Sequence, residues 1–193
     1  MQKKTLVVAT GNAHKLREIA QIFPDFEVVS QKQAGFCEEV EETGATFVEN
    51  ALIKARAACK ALGLPVLADD SGLCVEALGG APGVYSARYC GHHGDDKANR
   101  SLLLENMQNK ADRTAYFCCA IAVVFPEGKE WTAEGKTYGR ILTEESGDGG
   151  FGYDPIFFSD DLQKSFGVAT AEEKNTVSHR YRALCAIREK VQF

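Results

Sequence analysis

Two acidic stretches of the sequence have residue types that could bind a metal ion and a polyphosphate. Glutamates crowd residues 38–50, where no lysine or arginine occurs, and Asp69 and Asp70 stand together before Ser71 and Gly72. Such carboxylates suit Mg²⁺, which takes one or two protein oxygens and completes its shell with water and substrate phosphates. The alternative is a turn built on aspartate and glycine chemistry.

Two lysines are placed where they could neutralise a bound polyphosphate. The predicted strand, turn and helix around Thr10-Gly11-Asn12 would aim free backbone N–H groups at an anion, and Lys15 lies in the first turn of that helix. The alternative is that Asn12 only caps the helix and that Lys15 is solvated. Lys54 shares the apolar face of the next predicted helix, so its ammonium group either reaches solvent or meets a negative partner.

Aromatic residues and hydrogen-bond donors occur in the C-terminal part of the chain. Phe151 and Tyr153 are flanked by glycines, which could present a ring face to a flat ligand, although a hydrophobic loop anchor is an equal alternative. The donors near the start of the last predicted helix are Lys174, Ser178, His179 and Arg180. These side chains could bind carbonyl or phosphate oxygens, and a solvated helix end is the alternative.

The predicted elements place these residues at the ends of strands and helices. Strands are predicted at 6–9, 27–30, 66–68, 115–125, 130–136 and 155–158. Helices are predicted at about 13–23, from a capping box at Thr46 and Glu49 to Gly63, at 96–109, and from Thr170 to about 190. Residues 72–94 read as a long functional loop. Strands that alternate with helices, with a hairpin in the middle, predict a mixed α/β sheet.

Composition limits the class of protein. The chain has 193 residues, 45% of them hydrophobic and 25% charged, with a formal net charge of −5, which argues against nonspecific nucleic-acid binding. The length of residues 1–193 fits one compact domain or two small lobes. No apolar stretch approaches the roughly 20 residues of a membrane span and no signal-peptide core is present, so a cytoplasmic protein is expected. Seven cysteines without a C-x-x-C pair predict reduced, mostly packed thiols.

Seven segments of the chain together resemble the inosine triphosphate pyrophosphatase family. They occur in the family's order over residues 6–184, which is nearly the whole chain. The segments are Thr10-Gly11-Asn12-Ala13-His14-Lys15, residues 41–44, residues 47–51 with Lys54, residues 69–73, residues 79–88, residues 149–157 and Ser178-His179-Arg180.

The resemblance implies a fold, a reaction and a set of site residues. The fold would be an elongated central mixed β-sheet flanked by helices, with two lobes around a nucleotide cleft, in a homodimer. The enzyme would need Mg²⁺ and would hydrolyse ITP, dITP and XTP to the monophosphate and pyrophosphate, which removes non-standard purine nucleotides from the pool. The implied triphosphate site consists of Thr10, Gly11, Asn12, Ala13, His14, Lys15 and Lys54. The implied metal ligands are Glu41 and Asp70, Asp70 would also be the catalytic proton acceptor, and Ser71 would contact the substrate. The base and sugar would be covered by Phe151, Gly152, Tyr153 and Asp154, and the base would be recognised by Lys174, His179 and Arg180.

Donors such as Lys174 and Arg180 would favour hypoxanthine and xanthine over adenine. They can donate to a 6-keto oxygen, whereas the 6-amino group of adenine leaves them unpaired, at a cost of about 1–3 kcal/mol. Guanine also has the 6-keto oxygen, so these donors do not explain its rejection. Two other functions stay open, a catalytically silent nucleotide-binding protein and a phosphatase that releases orthophosphate.

Overall fold

The fold is a seven-stranded mixed sheet with helices, seen in a computed structural model that describes residues 3–191 apart from the side chains of Ala13 and His14. The helices are α1 (Ala13–Ile22), α2 (Phe47–Leu62), α3 (Asp96–Asn106), α4 (Ala171–Val177) and α5 (His179–Lys190). The strands are β1 (Lys4–Val8), β2 (Phe26–Ser30), β3 (Val66–Val75), β4 (Thr114–Val124), β5 (Glu130–Ile141), β6 (Phe157–Ser159) and β7 (Lys164–Ser165). Short 3₁₀ helices span Glu76–Leu78, Gly83–Arg88 and Asp154–Ile156.

The strand order in the sheet is β2-β1-β3-β4-β5-β6-β7. Strand β1 pairs in parallel with β2 and with β3, and β6 pairs antiparallel with β5 and with β7. Parallel and antiparallel pairs therefore occur in one sheet, which confirms the predicted mixed α/β class.

Contacts along the chain divide it into two compact units. The first unit comprises the chain through Asp70, Cys119–Gly135 and the chain from Tyr181 onward. The second unit comprises Ser71–Cys118 and Lys136–Arg180.

The core of the first unit consists of two apolar clusters. In one cluster Leu6, Val8 and Leu67 of β1 and β3 are buried with residues of α1 and α5. In the other, Val7, Val66 and Ala68 of the same strands are buried with the alanines of α2, which are Ala51, Ala55 and Ala58. Because side chains alternate along a strand, α1 and α2 cover opposite faces of the sheet.

The core of the second unit is rich in aromatic residues. Phe117 of β4 stacks on Phe166 and lies close to Phe157, and all three rings are buried. Leu103 and Met107, at the end of α3, complete the same cluster with Tyr153. The segment around Tyr153 is therefore anchored to the core by an aromatic side chain.

Helix α2 begins and ends at the residues that the sequence indicated. The hydroxyl of Thr46 accepts a hydrogen bond from Glu49 N at 3.2 Å, and Glu49 Oε2 accepts one from Thr46 N at 3.1 Å. Gly63 closes the helix with φ 64°, a left-handed conformation that glycine adopts easily. The predicted capping box and C-terminal stop are confirmed.

Several predicted boundaries are wrong, including the end of β5, which continues past residue 136 to Ile141. Strand β3 does not stop at residue 68 but continues to Val75, because Leu73 and Val75 are buried in the second unit's core. The last helical region is two helices, since Ser178 has extended backbone with ψ 147°. The predicted strand at 155–158 begins as a 3₁₀ turn, and β6 starts only at Phe157.

Among the described residues no helix is long and apolar enough to cross a membrane. Four of the seven cysteines are buried, which agrees with the prediction that most thiols are packed. The buried ones are Cys59, Cys74, Cys118 and Cys119.

Candidate active site

The turn between β1 and α1 is built by side-chain hydrogen bonds to the backbone. The hydroxyl of Thr10 accepts from Asn12 N at 3.1 Å, and Asn12 Oδ1 accepts from Lys15 N at 3.4 Å. Asn12 therefore caps α1, which is the role predicted from the sequence as the alternative to anion binding. Gly11 and Asn12 are exposed, and α1 has no acidic residue in its first turn, so the helix N-terminus still favours an anion. The predicted site residues Ala13 and His14 have side chains outside the described part of the structure.

Lys15 does not extend into solvent. Its Nζ lies 2.8 Å from Oδ2 of Asp69, a side chain with only 1% of its surface exposed. A buried carboxylate is costly unless a cation pairs with it. The lysine thus compensates a charge that sits at the edge of the core, and the alternative of a solvated Lys15 is wrong.

The two adjacent aspartates lie on opposite faces of the sheet. Leu67 belongs to the cluster that packs against α1, and Ala68 belongs to the cluster that packs against α2. Strand alternation therefore sends Asp69 toward α1 and Asp70 toward α2. Both come after Leu67, the last β3 residue paired with β1, so they lie where ligands collect in parallel sheets.

Asp70 is held from the α2 side by an amide and an ammonium group. Asn50 Nδ2 donates to Asp70 Oδ2 at 3.0 Å, and Lys54 Nζ lies 3.9 Å from Asp70 Oδ1. The same Lys54 Nζ donates to Glu42 Oε1 at 2.6 Å. Of the two alternatives for Lys54, the structure shows a negative partner, which is Glu42 of the acidic segment at residues 38–50. The carboxylates of Glu42 and Asp70 therefore both lie near one ammonium group.

Asn50 links the acidic segment to the catalytic candidate. Its side chain is completely buried, and its Oδ1 accepts a hydrogen bond from Gly44 N at 2.8 Å. A Cβ atom added to Gly44 would lie 2.7 Å from Asn50 Oδ1, so only glycine allows this approach. Because the amide oxygen binds Gly44, the amide nitrogen must face Asp70.

The residues expected to bind magnesium have suitable donor atoms. Asp70 and the exposed Glu41 both offer carboxylate oxygens, and Glu42, next to Glu41, contacts the ammonium group that also approaches Asp70. Within residues 3–191, no group of three or more histidine, cysteine, aspartate or glutamate side chains is arranged to hold a metal ion. Mg²⁺ needs only one or two protein carboxylates when phosphates and water supply the rest. Glu41 and Asp70 fit that requirement, and their role stays a prediction.

In the second unit, Asp154 organises the segment around Phe151. Asp154 Oδ2 accepts from Phe151 N at 2.8 Å and from Lys174 Nζ at 2.5 Å. The same ammonium group lies 4.3 Å from the centroid of the Phe151 ring, within the range of a cation–π contact. The Phe151 side chain remains 58% exposed, so its ring is presented and not buried.

Tyr153 points inward and supports the segment. Its hydroxyl donates to Ser86 O at 2.8 Å, and burial raises the pKa of the phenol above its ordinary value. Ser86 in turn accepts from Leu73 N at 2.9 Å, so part of the predicted loop at 72–94 serves as scaffold. Of the two aromatic residues noted in the sequence, Phe151 could face a ligand and Tyr153 is the anchor.

The donors around Ser178 are buried. Ser178, His179 and Arg180 are 7%, 6% and 5% exposed, so the alternative of a solvated helix end is wrong. The His179 ring stacks on Phe117 with centroids 5.0 Å apart and planes 14° apart. This stacking fixes the plane of the imidazole.

The first unit therefore pairs the predicted residues Lys54 and Asp70 on the α2 face of the sheet, whereas Lys15 pairs with Asp69 on the α1 face. The second unit brings together Phe151, Asp154 and Lys174, while Ser71 is half-buried in β3. Sequence reasoning missed several residues that hold these groups in place. They are Glu42, Asn50, Ser86, Asp96 and Arg100.

Comparison with known proteins agrees with this arrangement of motifs. The model of the Ham1 family matches residues 6–190. The chain belongs to the Ham1 family. A Clostridium perfringens protein named dITP/XTP pyrophosphatase is 46% identical, over 98% of each chain. A Bacillus anthracis protein of the same name is 47% identical, over 97% of this chain and 96% of the relative.

Solved structures of family members share the fold. The Ham1 protein of Staphylococcus aureus superposes with a TM-score of 0.92 at 42% identity, over 97% of each chain. A Mycobacterium abscessus structure described as a nucleoside-triphosphatase and dITP/XTP pyrophosphatase gives a TM-score of 0.82 at 47% identity, over 94% of this chain and 97% of that one. The family membership and fold class predicted from the sequence are confirmed.

Proposed function

We propose that this chain is a nucleoside-triphosphate pyrophosphatase that hydrolyses dITP, XTP and ITP to the monophosphate and pyrophosphate. The observation that carries the proposal is the position of Asp70. Its carboxylate lies past the end of β1, is held by Asn50 and is approached by Lys54. Relatives at 46–47% identity that carry the name dITP/XTP pyrophosphatase support the same assignment.

The phosphates bind to residues of the first unit. The exposed turn at Gly11 and Asn12 lies at the N-terminus of α1, where the helix dipole favours an anion. Lys15 and Lys54 add positive charge, and each is already held at a fixed place by a carboxylate, 2.8 Å away for Lys15 and 2.6 Å away for Lys54. Fixed cations favour phosphoryl transfer because catalysis of this reaction depends mostly on positioning and electrostatics.

Asp70 is the proton acceptor. The oxygen of a water molecule bonds to one phosphorus of the α–β phosphoanhydride, and one proton of that water passes to the Asp70 carboxylate. The bond from this phosphorus to the bridging oxygen breaks, and the bridging oxygen leaves with the other phosphorus, which gives the monophosphate and pyrophosphate. Asn50 holds Oδ2, which leaves Oδ1 on the side that faces Lys54. When bound by Glu41 and Asp70, Mg²⁺ would screen the phosphate charge and polarise the scissile bond.

The base is read by residues of the second unit. A lysine ammonium group has three donors, and Lys174 uses one of them on Asp154. The remaining donors suit the 6-keto oxygen of hypoxanthine or xanthine, and the exposed Phe151 ring provides a surface for stacking. His179 and Arg180, both buried, are the further predicted contacts.

A product assay tests the proposal. The purified chain with Mg²⁺ is given dITP, XTP, ITP, dATP and dGTP, and pyrophosphate and orthophosphate are measured separately. We expect pyrophosphate from the first three and little from dATP. Nucleotide binding without turnover would identify a silent binding protein, and orthophosphate as the primary product would identify a phosphatase. An omission of Mg²⁺ tests the metal requirement in the same assay.

Three broader expectations remain predictions. The chain is expected to form a homodimer, to act in the cytoplasm and to have no nucleic-acid partner. Size-exclusion chromatography with light scattering tests the first of these directly.

A further inference from the structure

Helix α3 holds both polar backbone groups of one residue next to Phe151. Asp96 Oδ2 accepts a hydrogen bond from Gly152 N at 2.9 Å, and Arg100 Nη1 donates to Gly152 O at 2.8 Å. Asp96 and Arg100 are four residues apart, so their side chains leave the same face of the helix. We refer to this pair as the α3 clamp.

The clamp is rigid at its basic end. The Arg100 side chain is only 15% exposed, and its Nε donates to Glu145 Oε1 at 2.7 Å. One planar guanidinium group therefore binds a carboxylate and a carbonyl together, a geometry that lysine cannot reproduce. The other end is rigid because Asp96 is the first residue of α3, whose N-terminus is capped by Asp95.

Phe151 needs such a support. Its ring is 58% exposed, so core packing does not fix it, and Gly152 has a left-handed backbone with φ 58° that would otherwise be free to change. The contacts that oppose this freedom include the clamp on Gly152, the bond from Phe151 N to Asp154 and the bond from Asp154 N to Phe151 O at 3.2 Å. A ring that is ordered before a ligand arrives loses less entropy on binding.

We propose that Asp96 and Arg100 are positioning residues for recognition of the purine base. They act on the nucleotide only through Gly152, which fixes the position of the neighbouring Phe151 ring. That position also determines the cation–π contact between the ring and the Lys174 ammonium group. This inference rests on the proposed function for its nucleotide, whereas the clamp itself is a property of the unliganded protein.

The first test measures order in the unliganded protein. Amide hydrogen exchange is followed over residues 150–154 in the wild type, Arg100→Ala and Asp96→Ala. Both variants are expected to raise the exchange rate at Gly152. Arg113→Ala is the matched control, because Arg113 also binds backbone carbonyls, Ile141 O and Leu142 O, each at 2.6 Å. The control should lower thermal stability without a change at Gly152. Unchanged exchange in both clamp variants would overturn the proposal.

The second test separates the base from the phosphates. Calorimetry measures the affinity of the wild type and of Arg100→Ala for dIMP and for pyrophosphate. We expect dIMP to bind about tenfold more weakly, because the variant must order the Phe151 segment when the ligand binds, with no change for pyrophosphate. In the background of Phe151→Ala, Arg100→Ala should have no further effect on dIMP, because the clamp acts through that ring.

The outcomes of these tests distinguish failure of the role in base recognition from failure of the proposed function. Equal weakening of both ligands, or an undiminished effect of Arg100→Ala without the Phe151 ring, would refute a role in base recognition. A wild type that neither cleaves dITP nor binds dIMP would refute the proposed function, and the exchange rate at Gly152 would still decide whether the clamp orders the segment.

Discussion

Replacement of Asn50 by alanine tests how strongly the protein is organised around Asp70. Asn50 is completely buried and makes two hydrogen bonds of opposite sense. Its oxygen accepts from Gly44 N at 2.8 Å, and its nitrogen donates to the Asp70 carboxylate at 3.0 Å. The substitution therefore leaves the Gly44 N–H and the Asp70 carboxylate, both half-buried, without this partner.

The magnitude follows from the charge of the partners. A hydrogen bond to a charged group stabilises a protein by roughly 1.5–3 kcal/mol and a neutral one by about 1 kcal/mol, so Asn50→Ala should cost about 3 kcal/mol. For a chain of 193 residues, each kcal/mol shifts the melting temperature by roughly 2–4 °C. The expected fall in melting temperature is therefore about 6–12 °C.

Asn99→Ala is the matched control. Asn99 is also buried in a helix and also makes two bonds, but both partners are neutral backbone groups, Cys90 N at 2.8 Å and Ala87 O at 3.4 Å. The second bond is long, so this substitution should cost about 1.5 kcal/mol. Urea unfolding of both variants gives the comparison. If Asn50→Ala proved no more destabilising than Asn99→Ala, the bond to Asp70 would contribute nothing to stability and the argument for an organised carboxylate would fail.

Three further substitutions test single roles. Asp70→Asn should keep a neutral hydrogen bond with Asn50 but remove the proton acceptor, so turnover of dITP should fall roughly 10²–10⁴-fold while the melting temperature falls by only a few degrees; an active, folded variant would remove Asp70 from the mechanism. Lys174→Ala should narrow the preference for dITP over dATP in kcat/KM, and an unchanged ratio would place base recognition elsewhere. Tyr153→Phe should cost about 1 kcal/mol at pH 8 through the bond to Ser86. Because burial raises the pKa of Tyr153, the tyrosine of the unfolded wild type ionises first, and the wild type loses stability as the pH rises above about 10. The free energies of unfolding of the two proteins, measured by urea titration, should therefore converge at alkaline pH, and a constant difference between them would contradict this.

Local signals in the sequence were sufficient for the elements whose ends are fixed by neighbouring residues. Helix α2 could be predicted because Thr46, Glu49 and Gly63 complete its caps within a few positions of each end. For Lys54 the apolar helix face left two alternatives, an ammonium group that reaches solvent or one that meets a negative partner. Neither the choice between them nor the identity of Glu42 could be predicted, because the loop before α2 has no periodic pattern that sets its path.

The behaviour of the aspartate pair could not be predicted for a different reason. Aspartate is rare in strands, so Asp69 and Asp70 indicated the end of one, whereas β3 runs through them to Val75. Only the continued strand makes their side chains alternate, and only alternation assigns Lys15 to one and Lys54 to the other. A pair that reads in sequence as one metal-binding unit is therefore two separate carboxylates.

The supporting residues were missed because their partners are distant in sequence. Asn50 lies four positions before Lys54, and Asp96 four before Arg100, so helical spacing alone could have suggested that each pair shares a face. Nothing local in the sequence identifies Asp70 or Gly152 as the group that those faces contact. Asp70 is 20 residues from Asn50, and Gly152 is 56 residues from Asp96.

The cations proposed to bind substrate are already bound to carboxylates, so a nucleotide must either share each ammonium group with its carboxylate or compete for it. Lys174 can keep Asp154 and still donate to a neutral base, because one of its three N–H groups suffices for the carboxylate. Lys54 faces a different choice, since a phosphate oxygen competes with Glu42 for a bond of 2.6 Å. A phosphate that draws the ammonium group toward itself leaves the acidic segment with uncompensated charge next to Asp70. That excess negative charge is the condition under which a divalent cation binds most favourably, so the charge pattern of the first unit predicts that phosphate and Mg²⁺ bind more tightly together than either does alone.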